Sequence, residues 1–167
     1  MKARELLDNL VNRGAYVGCA KEAHDAWRST KESQGWVYGV ERDAAKKTNP
    51  LMVDYEVLPA ESRGQSCLTP YAVVNYFRVE HGENTLTELD TLLQQTIVGS
   101  QPQLLEQVGE YVHSHFIAAQ MVKGATVQTR DDMCTYEALT SDQRSWDVEM
   151  AKSVMQYLRR EVAKKTE

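Results

Sequence analysis

HDAWRSTKESQGWVYGVERDAAKKTNPLMVDYEVL, residues 24–58, is the stretch that decides the predicted fold. Its first part completes a helical pattern over residues 18–32, in which Trp27 and Lys31 fall one turn apart on the same face. The following GWVYG segment favours a short β-segment over a helix, because glycine destabilises a helix interior. An Asn-Pro pair then requires an extended or turning backbone. We therefore expect a helix, a short β-segment and a turn in succession.

The rest of the chain is predicted to be mainly helical, because apolar residues recur at steps of three and four. One helix start carries a capping-box signal, with Thr85 three residues before Glu88. The predicted helices outside the opening stretch cover residues 4–13, 70–81, 84–98, 103–123 and 145–165. The predicted fold class is mainly α with a short β-segment.

Composition and charge argue against several classes of function. The chain has 167 residues, a formal net charge of −5 and a pI near 5.4, so its surface as a whole would repel nucleic acid. No apolar run approaches the ~20 residues of a membrane span, and the first residues lack the pattern of a secretory signal. The three cysteines lack the spacing of a thiolate zinc site. We expect a cytoplasmic protein without a nucleic-acid or membrane partner.

Residues 55–80 and 136–161 resemble each other without a gap. The identical pairs are Tyr55/Tyr136, Glu56/Glu137, Leu58/Leu139, Arg63/Arg144, Val73/Val154, Tyr76/Tyr157, Arg78/Arg159 and Glu80/Glu161. The second copy is about ten residues shorter upstream and has no counterpart of WVYG. Two copies of one unit commonly pack about a pseudo-twofold axis, which would bring the equivalent Trp27 and Phe116 to the seam.

The opening stretch resembles the RyR domain, a repeat found in pairs in ryanodine receptor channels and singly or in pairs in bacterial and phage proteins. The matching residues are His24, Trp27, Gly35, Trp36, Tyr38, Gly39, Arg42, Asp43, Lys46, Asn49, Pro50, Leu51, Val53, Tyr55 and Leu58. The resemblance implies a mostly helical module whose paired form holds an adenine nucleotide between repeats. Family members in bacterial conflict systems are proposed to sense nucleotide-derived signals, including those made from NAD.

The match is dense over residues 20–80 and weak over 112–162, so the second copy is degenerate. Together with the duplication, the resemblance divides the chain into four segments that are expected to form a pseudo-twofold pair of RyR-like repeats. The segments are an N-terminal helix (1–17), a first RyR repeat (18–82), a linker helix (83–102) and a degenerate RyR-like repeat (103–167).

Aromatic side chains are the candidates for holding a planar base. Stacking on a base is worth ~1–3 kcal/mol, and Trp27 and Phe116 are the candidate pair. Both could instead fill the seam as core. Trp36 and Tyr38 lie two residues apart, so an extended segment would direct both to one face, where they pack the first repeat's core and the Tyr38 hydroxyl reaches the ligand.

Cationic side chains are the candidates for holding phosphate. Arg42, Arg63 and Arg144 offer planar guanidinium groups that grip oxygens in pairs. Each could instead form a structural ion pair, Arg42 with Asp43 for example. Lys31 could reach a phosphate with its stem packed on the Trp27 ring, or simply be solvated.

Ser66 and its repeat equivalent Asp147 are the remaining candidates, the acid as an acceptor for a ribose hydroxyl or a base edge. Alternatively, Asp147 only complements the helix dipole. His113 and His115 cannot share a metal, because residues two apart on a helix diverge. No pattern indicates a metal site, a catalytic residue or a cofactor.

These observations favour a non-enzymatic protein that binds an adenine- or NAD-derived messenger between tandem repeats. Because no effector domain is evident, we expect it to sequester the messenger as a phage anti-defence sponge, in the host cytoplasm if phage-encoded. Two alternatives stay open: a protein-interaction or signal-sensing module that docks a partner helix, and an enzyme acting on NAD-derived nucleotides. Formation of a homo-oligomer also stays open.

Overall fold

The computed structural model describes residues 1–167 and consists of seven α-helices with one small sheet. The helices are α1 (Ala3–Asn12), α2 (Ala20–Ser33), α3 (Ala60–Gln65), α4 (Leu68–His81), α5 (Leu86–Ile97), α6 (Pro102–Val122) and α7 (Ser141–Thr166). The strands are β1 (Val37–Tyr38) and β2 (Thr48–Asn49), and 3-10 turns cover Ala15–Cys19, Tyr55–Val57 and Tyr136–Ala138. The predicted fold class, mainly α with a short β-segment, is confirmed.

Local signals placed most helix ends correctly. The Thr85 hydroxyl accepts from the Glu88 N–H while the Glu88 carboxylate accepts from the Thr85 N–H, which is the expected capping box at the start of α5. Helix α4 begins two residues before the predicted start at Pro70. Proline is tolerated there because the N–H groups of a first helical turn have no partner within the helix.

The larger of two buried hydrophobic clusters organises the helices. Helices α4 and α7 lie at its centre, since α4 contacts α1, α6 and α7, and α7 also contacts α2, α5 and α6. The fully buried side chains include Leu7, Phe77, Leu89, Val108 and Leu158, which come from five different helices. The cluster draws residues from all four predicted segments, so the segments share one core. None of the helices combines the length and apolar composition of a membrane-crossing segment.

The sheet consists of β1 and β2 in parallel, in a register that pairs Tyr38 with Asn49. The prediction that Trp36 and Tyr38 share a buried face is wrong: Trp36 is 5% exposed, whereas Tyr38 is 57% exposed. Trp36 precedes the strand, and its N–H donates to the Lys31 carbonyl at the end of α2 (3.0 Å). This bond turns Trp36 back toward α2, so the alternating side-chain directions of a strand do not apply to Trp36. Gly35, with a φ of 91°, provides the reversal.

Candidate functional site

A cavity of about 230 Å³ lies where α2, α6 and α7 meet the 49–51 and 130–132 segments. Its polar and aromatic lining from residues 1–82 is His24, Trp27, Lys31, Asn49, Ser62, Gln65, Ser66 and Thr69. From residues 103–167 it is His113, Phe116, Gln120, Lys123, Arg130, Asp132, Gln143, Trp146 and Asp147. The cavity therefore belongs equally to the two halves of the chain.

On the first side of the cavity, a buried histidine supports a tryptophan. The Nε2–H of His24 donates to the carbonyl of Val53 (2.8 Å), which fixes the ring plane. The His24 ring stacks on Trp27 with 5.5 Å between centroids and 29° between planes. Tyr55 lies against the same histidine at 6.1 Å and 54°. Trp27 is thus held in one orientation at the cavity wall.

The other side repeats this arrangement with different residues. The Nε2–H of His113 donates to the carbonyl of Cys134 (2.7 Å), and its ring stacks on Phe116 at 5.8 Å and 24°. Tyr136 lies against His113 at 6.3 Å and 53°. Phe116 is therefore presented to the cavity by the same set of contacts as Trp27.

Lys31 occupies a box of three indole rings. Its Nζ lies 3.5 Å from the centroid of Trp36, 3.7 Å from that of Trp146 and 5.1 Å from that of Trp27. Trp36 and Trp146 meet edge to face at 5.6 Å, and the Trp146 Nε1–H donates to Gln34 Oε1 (2.7 Å). Because Trp36 and Trp146 come from different halves of the chain, the box spans the seam.

The environment of the box shifts the titration of the amine. Burial, followed by the nearby Arg42 guanidinium, lowers the pKa of Lys31 to about 7, while the Asp132 carboxylate opposes the shift. The indole faces also oppose it, since they attract the charged ammonium. Lys31 is 2% exposed, and its Nζ has no hydrogen-bonding or ion-pair partner in the protein.

A charge network closes one end of the cavity. Arg130 Nε and Nη2 donate to the two carboxylate oxygens of Asp132 at 2.8 and 2.9 Å, and its guanidinium lies 5.3 Å from the Phe116 ring. Arg42 Nη2 donates to Asp131 (2.9 Å) and lies 3.5 Å from Asp132. Burial alone would raise the pKa of Asp132, but the bonds from Arg130 and the charge of Arg42 outweigh it and lower the pKa.

A histidine–carboxylate pair lies on the second side. Asp147 Oδ2 is 3.5 Å from His113 Nδ1, and both side chains are buried. Burial raises the pKa of Asp147 against the opposing effect of the histidine. Burial alone would lower the pKa of His113, but the Asp147 carboxylate and the Cys134 carbonyl outweigh this effect, so the pKa of His113 is raised. The pair therefore retains protons to a higher pH than either group would alone in water.

Several residues predicted from sequence meet at the cavity. The candidates that line it are Trp27, Lys31, Ser66, Phe116 and Asp147. The Ser66 hydroxyl already donates a hydrogen bond to the Ser62 carbonyl (3.1 Å), so its proton is not free for a ligand.

The other predicted site residues do not line the cavity. Tyr38 and Arg63 are exposed, the latter on α3. Arg144 Nη2 donates to the Glu137 carbonyl (2.9 Å), which holds the guanidinium near the start of α7. Arg42 is bound by acidic side chains of the second half rather than by its neighbour Asp43. Its role here is to join the two halves.

Several cavity residues were missed from sequence, two of which the duplication could have revealed. The ungapped pairing extends upstream of Tyr55, so Arg130 is the counterpart of Asn49, and both line the cavity. Gln143 is likewise the counterpart of Ser62. Lys123 carried no signal beyond its position at the end of α6. Trp146 lies in the helix predicted over residues 145–165 but is not among the candidate site residues.

Residues 11–79 match the family model of the RyR domain. The matched region runs from the end of α1 to the last turns of α4 and includes Trp27, Lys31 and Trp36. The match supports the RyR domain family for the first half of the chain, in agreement with the resemblance seen in the residues.

Proposed function

We propose that the cavity binds a nucleotide-derived small molecule, such as an adenine- or NAD-derived messenger, between two copies of one RyR-like unit. The observation that carries the proposal is the repeated set of contacts around His24 and His113, which presents one aromatic ring from each half to the same cavity. Gly35 and Gly124, eight residues beyond each aromatic, also share a positive φ (91° and 82°), as two copies of one unit would.

The aromatic rings suit a planar base. Trp27 and Phe116 are each backed by a histidine whose Nε2 is fixed by a carbonyl, so neither ring has to be ordered when a ligand binds. A preordered ring avoids the entropy cost of immobilising a side chain on binding. Each stacking contact is then worth ~1–3 kcal/mol.

The charged groups suit an anionic ligand. Lys31, Lys123 and Arg130 line the cavity, and the charge of Asp132 is already compensated by Arg130 and Arg42. The cavity volume of about 230 Å³ is below the ~300–1,000 Å³ of typical small-molecule sites. We infer that the base and sugar are enclosed, whereas any further phosphate lies at the opening.

Isothermal titration with AMP, ADP, ADP-ribose and its cyclic isomers tests the proposal. Trp27→Ala should weaken binding of the ligand that binds best by roughly 5- to 150-fold, the equivalent of one stacked base. Tyr38→Ala is the matched control, because Tyr38 is an exposed aromatic outside the cavity, and it should leave the affinity unchanged. Absence of heat with every nucleotide, or equal losses in the two variants, would contradict the proposal.

Sequestration is the proposed consequence of binding, in the setting of a phage anti-defence protein. It requires that the ligand be released unchanged and slowly. Mass analysis of the ligand after incubation and denaturation separates sequestration from an enzymatic reaction, since a converted ligand contradicts it. Stopped-flow measurement of the dissociation rate then separates a sponge from a rapidly exchanging sensor.

A further inference from the structure

The Lys31 amine is a buried reactive group that nucleotide binding alone does not explain. Its side chain is sealed on three sides by the rings of Trp36, Trp146 and Trp27, and it lines the cavity without any hydrogen-bonding partner. A lysine that served only to attract an anion would bind better from the solvated rim, where Lys123 lies, because burial disfavours the ammonium form.

We propose that Lys31 is a carbonyl-capturing lysine, whose amine forms a reversible imine with an aldehyde in the cavity. The chemical class of ligand is a small aldehyde or the open-chain form of an aldose, alone or as part of a larger molecule. The inference goes beyond the proposed function, because imine formation does not require the ligand to carry a base.

The reaction balances without an oxidant or a reductant. The lone pair of the neutral Nζ attacks the carbonyl carbon, so a C–N bond forms as the C=O π bond breaks. Transfer of one proton from the nitrogen to the oxygen then gives a neutral carbinolamine. The hydroxyl group then leaves as water after protonation, and the nitrogen loses its remaining proton to give the imine. Hydrolysis reverses each step and restores the lysine.

Three features of the cavity favour this reaction over simple ion pairing. Burial and Arg42 lower the pKa of Lys31 to about 7, so a substantial fraction of neutral amine is present at neutral pH. The indole box that attracts the ammonium also attracts a protonated imine, which is a larger and less hydrated cation. The His113–Asp147 pair lines the same cavity and can supply the proton that the departing hydroxyl needs.

Reductive trapping tests the proposal on the full chain. The protein is incubated with ribose 5-phosphate, and separately with propanal, at pH 7.5 in the presence of cyanoborohydride, and labelled positions are found by peptide mass mapping. We expect Lys31 to be labelled about ten-fold faster than Lys123, since the gain in neutral amine exceeds the loss of nucleophilicity. Lys123 is the internal control because it lies on the rim of the same cavity.

Labelling of Lys31 at or below the rate of Lys123 with both aldehydes would overturn the proposal. Lys31→Arg keeps the positive charge but cannot form an imine, so it should lose the fast-labelled site while retaining the slow ones. If that variant does not fold, the wild-type peptide map decides alone. Selective labelling in a protein that binds no nucleotide would sustain the imine proposal and reject only the nucleotide one.

Discussion

Replacing Arg130 by asparagine should destabilise the protein strongly at neutral pH. Arg130 makes two hydrogen bonds to the carboxylate of Asp132, whose side chain is 6% exposed. Removing one partner of a buried pair costs ~3–5 kcal/mol, because the other charge remains buried without compensation. Arg42 still lies 3.5 Å from Asp132, so we expect the lower end, about 3 kcal/mol. A chain of this size should then melt roughly 6–12 °C lower.

The pH dependence of this loss has a definite sign. In the wild type the pKa of Asp132 is lowered, so its stabilising contribution is present above the unfolded-state pKa and disappears as pH falls through the folded-state value. Without Arg130, its hydrogen bonds and charge no longer lower the pKa of Asp132, so this pKa is higher in the variant than in the wild type. Protonation of Asp132 then removes the uncompensated charge as pH falls. The difference in unfolding free energy between wild type and Arg130→Asn should therefore be smaller at pH 5 than at pH 7.

Urea denaturation at the two pH values measures both effects, and a double variant supplies the control. Asn49 and Leu51 occupy the positions in the first half that are equivalent to Arg130 and Asp132, and the Leu51 N–H donates to Asn49 Oδ1. The double variant Arg130→Asn/Asp132→Leu therefore introduces a residue pair that the first half already contains. Replacing both partners should recover most of the loss. An Arg130→Asn variant as stable as the wild type at pH 7, or a double variant no better than the single one, would refute the reasoning.

Two further predictions concern the second half of the chain. Gly109→Ala should destabilise the protein by ~1–3 kcal/mol in thermal unfolding, because a Cβ at this position would lie 2.6 Å from Tyr136 Oη. Gly64→Ala is the control: the space around Gly64 is open, so this change should be neutral or stabilising. The pKa values of His113 and Asp147 are raised in the folded protein, so both groups stabilise it most when they are protonated. This contribution to the free energy of unfolding is lost as pH rises. Asp147→Asn should therefore flatten the decline of stability between pH 5 and 8. An unchanged pH profile in denaturation experiments would contradict the assignment of that decline to the pair.

Most helices were predictable because their signals are local, whereas α3 was not predicted and α7 begins at Ser141 and not at residue 145. The Thr85 capping box and the apolar spacing of α1, α5 and α6 act within a few residues, and these elements form where the sequence indicates. The orientation of Tyr38 was not predictable in this way. It depends on the hydrogen bond from the Trp36 N–H to the Lys31 carbonyl, which shortens the strand by one residue at its start.

The arginines predicted to bind phosphate lie outside the cavity lining. Arg63 and Arg144 are candidates for their guanidinium groups and are identical in the two similar segments, yet neither lines the cavity. Arg144 instead bonds the turn of its own half, through the Glu137 carbonyl. For Arg144, identity with its counterpart therefore accompanies a contact within its own half and not a position at the cavity.

Apart from the identical His24 and His113, several of the equivalent residues that line the cavity differ between the two halves. Lys31 faces it from the first half and its counterpart Gln120 from the second, while Ser66 corresponds to the buried acid Asp147. The basic amine and the carboxylate thus come from opposite halves. A symmetric cavity would present the same groups from both halves, whereas this one presents different groups from its two sides. Under the proposed function, these differences between the two sides would favour a single orientation of an asymmetric ligand.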